Sequence, residues 1–101
     1  MIIKPGEQKD IPRDFAKVVV DIERGVLSAV CDLHSDCADE LVADGSQWGN
    51  LWGANVYLDE KRIDFVSLIN IRPAVGNRSM TIELPAIRAK VEAVIRKQLS
   101  L

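Results

Sequence analysis

Apolar and polar positions alternate from Ala16 to Glu23, where Val18, Val20 and Ile22 share one side. Lys17, Val19, Asp21 and Glu23 share the other, and this period of two predicts a strand. Arg24-Gly25 supplies a tight turn, and Val26 to Cys31 is a second apolar run, so the two form an antiparallel hairpin. From Leu51 to Leu58, Trp52, Ala54, Val56 and Leu58 alternate with Leu51, Gly53, Asn55 and Tyr57, which predicts a third strand. The polar turn Asp59 to Arg62 leads to a fourth strand, Ile63 to Arg72, with Ile63, Phe65, Ser67, Ile69 and Ile71 on one side. Closeness in sequence makes these two a second hairpin. Pro73 ends it, and Ala74 to Ile82 is a long loop.

The period changes at Pro85. Ile87, Val91, Val94, Ile95 and Leu99 recur at helical spacing, Pro85 suits a first helical position, and Arg96 and Lys97 fall in the last turn. A shorter helix is predicted within 32–44. Ser35 or Asp36 caps it, Asp39 and Glu40 lie in its first turn, Leu41 and Val42 face inward and Gly45 stops it. Residues 1–15 open with the β-type run Met1-Ile2-Ile3 and turn irregular around Pro5, Gly6 and Pro12.

These elements predict a single α+β domain over residues 1–101. An irregular segment spans 1–15, strands with a short middle helix span 16–72, and a C-terminal helix spans 85–99. The sheet has four to five mainly antiparallel strands, built from two hairpins. The C-terminal amphipathic helix covers one face, with the middle helix beside it. Apolar residues on both sides of the strands leave the other face to be buried by a second copy, which predicts a homodimer.

Composition narrows the picture. The chain has 101 residues, 48% hydrophobic, enough for one core and too many for disorder. No apolar run approaches the roughly 18 residues of a membrane span, and Met1 to Pro5 is too short for a signal-peptide core, so the expected location is cytoplasmic. Thirteen basic and fifteen acidic residues give a net charge of −2, which disfavours nucleic acid and anionic membranes. Cys31 and Cys37 are expected as reduced thiols, since a bridge across so short a loop adds little. With His34 between them and Asp36 or Asp39 nearby they suggest a metal set, but the spacing fits no paired-cysteine pattern. No metal or other cofactor is expected.

His34, the only histidine, is the natural proton-transfer group, with Asp36, or Asp21 across the hairpin, to orient it. Arg72 and Arg78 flank a loop containing Asn77 and Ser79, and two guanidinium forks there suit a carboxylate or phosphate. Alternatively they pair with Asp21, Glu23 or Asp64. Asn55 and Asn70 lie in strands, where asparagine is disfavoured, and become candidates for hydrogen bonding, even as cross-strand neighbours. Trp48, beside Gly49, is a candidate exposed contact. Two readings follow. One is a non-catalytic homo-oligomeric module binding a protein partner or small anionic ligand. The other is a small enzyme with His34 as acid or base, Asp36 as orienter and Arg72 and Arg78 as an anion clamp. The absence of a complete catalytic set favours the module.

One succession of blocks is distinctive. Asp21-Ile22-Glu23-Arg24-Gly25 precedes His34-Ser35-Asp36, then Asp44-Gly45-Ser46, Leu51-Trp52-Gly53-Ala54-Asn55 and Asn70-Ile71-Arg72-Pro73 with Gly76-Asn77-Arg78-Ser79. It resembles a small prokaryotic family known only as a domain of unknown function, over about Lys17 to Ile95. The resemblance implies a one-domain α/β protein of the cytoplasm and no assigned activity. Three departures stand out: a short segment before Lys17, Val30-Cys31 in place of glycine-type residues, and Leu84 in place of an acidic helix cap. The last costs the C-terminal helix about 1 kcal/mol unless Thr81 or Glu83 substitutes.

Overall fold

Five strands and two helices make up the computed structural model, which describes residues 1–101: β1 (Ile2–Ile3), β2 (Ala16–Asp21), β3 (Val26–Ala29), α1 (His34–Ala43), β4 (Leu51–Tyr57), β5 (Arg62–Asp64) and α2 (Pro85–Leu99). The β2–β3 hairpin forms as its pattern dictates, with Val18 opposite Ala29 and Asp21 opposite Val26. Asp21 closes it: one carboxylate oxygen accepts the Glu23 and Arg24 amides, and Gly25 takes the left-handed φ of 70° that the turn requires.

The strand order is β1-β3-β2-β4-β5, with every pairing antiparallel. The first strand of the first hairpin is therefore central, flanked by β3 and β4. Both run antiparallel to β2 and so parallel to each other. A chain leaving β3 must cross a face of the sheet to enter β4, and α1 is that crossing.

This topology puts the helices on opposite faces. Ala16, Val18, Val20, Leu27, Ala29, Trp52, Ala54 and Val56 form one core with Val91 and Ile95 of α2 and with Ile3, Ile11, Phe65 and Ile82. Val19, Val26 and Leu51 form the other with Cys37, Ala38 and Leu41 of α1. The expected bare apolar face is thus covered by the chain's own middle helix, and it no longer requires a second copy. Within α1, Leu41 is buried as expected, whereas Val42 is exposed and Cys37 and Ala38 take the inward positions.

Three further expectations are corrected. The fourth strand ends at Asp64 rather than Arg72. Ser67 caps a 3₁₀ turn over Leu68–Asn70 by accepting the Ile69 amide, and this takes the backbone out of the sheet. Cys31 and Cys37 are joined in a disulfide instead of standing as thiols. α1 begins at His34 with Leu33 at its cap position, and the Asp36 carboxylate accepts the Leu33 amide from within the first turn. The C-terminal helix does lack a side-chain cap at Leu84.

Candidate functional site

Lys17, Asn55 and Tyr57 project toward α1 because they alternate with the residues facing α2. α1 packs over the Val19, Val26 and Leu51 end of that face and leaves the Lys17, Asn55 and Tyr57 end open. The opening is a groove of about 520 Å³. Leu33, His34 and Ser35 at the start of α1 wall one side, and Val66 to Ile69 with Met80 wall the other. Phe15 lies against Tyr57, ring centroids 5.3 Å apart. Leu68 is 71% exposed, and Phe15, Leu33 and Met80 are also exposed apolar side chains on the rim. Seven of the twelve lining residues are hydrophobic, Lys17 is among the rest, and none is acidic.

His34 sits in the wall with Nε2 2.8 Å from the Ala54 carbonyl oxygen, so Nε2–H donates and Nδ1 is left as an acceptor. Burial holds its pKa below the usual 6.5. The bond to Ala54 opposes this, the Lys17 charge adds to it, and the Asn55 side chain opposes it. Asn55 donates from Nδ2 to the Val66 carbonyl at 3.3 Å, while its Oδ1 is buried without a partner. The approach of these walls depends on Gly53: a Cβ there would lie 2.5 Å from Ser67 Cβ and 3.2 Å from His34 Cδ2.

The sequence candidates separate into distinct roles. His34 and Asn55 meet in the groove. Asp36 does not orient His34, because its carboxylate caps α1. Asn70 and Asn77 are fully buried and bonded to backbone on every side. The Asn70 amide accepts from the Gly53 N–H at 2.8 Å and donates to the Gly53 carbonyl at 2.9 Å. It does for β4 what a longer β5 would have done. Asn77 donates to the Asn70, Ser79 and Thr81 carbonyls and accepts the Glu83 amide, which ties down the long loop. Both are framework residues rather than ligand contacts.

Arg72 and Arg78 form no clamp. Arg72 donates to the carbonyls of Ile69, Trp48, Gly49 and Leu51, and its guanidinium lies 4.4 Å from the Trp52 ring centroid. It pairs with none of Asp21, Glu23 and Asp64; Arg62 holds Asp64. Desolvation lowers the Arg72 pKa, but the side chain remains a cation spent on backbone. Arg78 is exposed in the loop. Trp48 packs near Arg72, away from the groove. Cys31 and Cys37 have no thiolate to offer a metal while bridged.

Phe15, Lys17, Tyr57, Leu68 and Met80 were missed as site residues. Lys17 had a visible signal, a cation at a position that the alternation assigns to a covered sheet face. Leu68 had none, because its exposure depends on the turn that ends β5. A second cleft, about 320 Å³, runs between the N-terminal segment and the end of α2. Unlike the groove it is lined by an acid, Asp10, and its cations are paired with carboxylates, Lys9 with Glu7 and Arg13 with Asp59.

No curated protein and no solved structure matches the chain. A family model described as Protein of unknown function (DUF5674) matches residues 7–98.

Proposed function

The chain belongs to that family of unknown function, so membership brings no activity with it, and we propose that the protein is a non-catalytic binding module for a small molecule with an apolar body and an anionic head. The observation that carries this reading is the charge of the groove. In a chain with two more acids than bases, the groove contains no acid and does contain Lys17. Its volume falls within the roughly 300–1,000 Å³ of small-ligand sites. Phe15, Tyr57, Leu68 and Met80 supply apolar contact. His34 Nδ1, left as an acceptor, takes a hydrogen bond from a donor on the ligand or from water.

The acid–base alternative loses support from the same geometry, since His34 has no carboxylate partner and Arg72 is engaged by carbonyls. A homodimer remains a second reading, with the exposed rim around Leu68 as its contact in place of a bare sheet face. We keep the cytoplasm as the working compartment in this reading; its thiol pool is reducing, so the bridged state is one that oxidation must create there.

Titration of the labelled protein with phenylacetate, followed by amide and side-chain NMR, tests the proposal. Shifts should concentrate at Lys17, His34, Ser35, Asn55 and Leu68, and Lys17→Ala should weaken them. No shift at millimolar probe, or shifts confined to residues outside the groove, would defeat it.

A further inference from the structure

We propose that the Cys31–Cys37 disulfide is a reversible redox latch on the groove, so that ligand binding follows the thiol state of the surroundings. The inference rests on reading the groove as a ligand site. Three observations carry it. First, the bridge closes a segment with a sequence separation of six, and that segment contains Leu33, His34 and Ser35, one wall of the groove. Second, the two cysteines are unequally placed: Cys37 is buried in the α1 core, whereas Cys31 is only partly buried at its margin, which makes Cys31 the side of the bridge a thiol attacks in this proposal.

Third, the backbone entering the bridge is strained. Val30 is a β-branched residue at φ 64°, in the left-handed region, and its side chain is half exposed, so packing alone does not impose the conformation. Val30 stands immediately before the bridged Cys31 and is bracketed by Lys17. The Val30 amide donates to the Lys17 carbonyl at 3.2 Å, and the Lys17 ammonium donates to the Asp32 carbonyl at 2.7 Å. Lys17 is itself the cation of the groove. One segment therefore couples the sulfur bond, the strained residue, the α1 wall and the ligand's charge partner.

The reductant is a dithiol. Its thiolate attacks Cys31 Sγ and forms a mixed disulfide, Cys37 leaves as a thiolate and takes a proton, and the second thiol of the reductant then displaces Cys31. Two electrons and two protons arrive at the protein, and the dithiol departs as its own disulfide. Val30 then relaxes to an extended φ, Asp32 moves off Lys17, and the first turn of α1 loosens. If the competent groove falls to roughly a tenth of the reduced population, apparent affinity drops about tenfold.

The experiment compares oxidised and dithiothreitol-reduced full-length protein by NMR, with amide exchange of Leu33 to Asp36 measured in each state and phenylacetate titrated into both. Loss of protection on reduction, with about tenfold weaker probe binding, supports the latch. Equal affinity and unchanged protection would overturn it while leaving the groove reading intact. If the probe binds neither form, the groove reading fails and the latch on ligand binding fails with it, an outcome distinct from equal binding by both forms. Global unfolding on reduction, or resistance of the folded protein to millimolar dithiol, also overturns it. Cys31→Ser/Cys37→Ser serves as the locked reduced form, expected to reproduce the dithiothreitol result without added reagent.

Discussion

Gly53 and Asn70 show how much of this fold depends on single side chains. A methyl group at Gly53 would enter the space of Ser67 Cβ and Oγ, 2.5 and 2.6 Å away, on a segment anchored by Asn70. Gly53→Ala is expected to cost about 1–3 kcal/mol in denaturant unfolding. It should also displace the His34 ring resonances. Asn70→Ala removes three hydrogen bonds and strands the Gly53 amide in a buried site. Its expected cost is about 3 kcal/mol by the same measurement. His34 imposes a pH dependence. Its folded pKa lies below the 6.5 of the unfolded chain, so the unfolded state binds the proton first as pH falls. Stability from this group is therefore present above pH 6.5 and declines as pH falls through it toward the lower folded value. Urea melts from pH 7.5 down to 5 should show that loss, and His34→Asn should flatten it. Among the candidates, His34 and Asn55 were legible because each is a chemically conspicuous residue in its segment. Asn70 and Asn77 were conspicuous for the opposite reason: they replace missing backbone pairing, which only the folded chain reveals.

At the scale of elements, alternation located β2 and β4 and an apolar run located β3, each to within two residues, and the period of 3.6 located α2. Alternation overran at β5, because Phe65 to Ile71 keeps a period of two while Ser67 and Asn70 bend it into a turn. The middle helix was legible as a helix but not as a crossing. Its face follows from β3 and β4 lying on either side of β2, and that pairing is non-local. The loop closed by the Cys31–Cys37 bridge gives an expected loss of about 2 kcal/mol on reduction in a chain that stays folded. Chemical denaturation with and without dithiothreitol measures it.

For the whole molecule, the second core under α1 resolves the apolar excess on both sides of the strands within one chain. What stays outside is the rim of the groove. If the protein sediments as a dimer at micromolar concentration, Leu68→Asp should return it to monomer, because Leu68 is the most exposed large hydrophobic residue there. A dimer that survives this change uses another surface. The net charge of −2 conceals the distribution that matters: no acid is among the residues that line the groove, and Lys17 is.

The two outer strands of the sheet contain only two and three residues, Ile2–Ile3 and Arg62–Asp64. Beyond the first, Lys9 holds the Ile2 carbonyl; at the second, the chain peels away after Asp64 under the pull of Asn70. With α2 over one face, α1 over part of the other and both margins this short, the sheet offers little template on which a further strand can grow. Protection against edge-to-edge pairing comes from the shortness of these margins instead of from a large net charge.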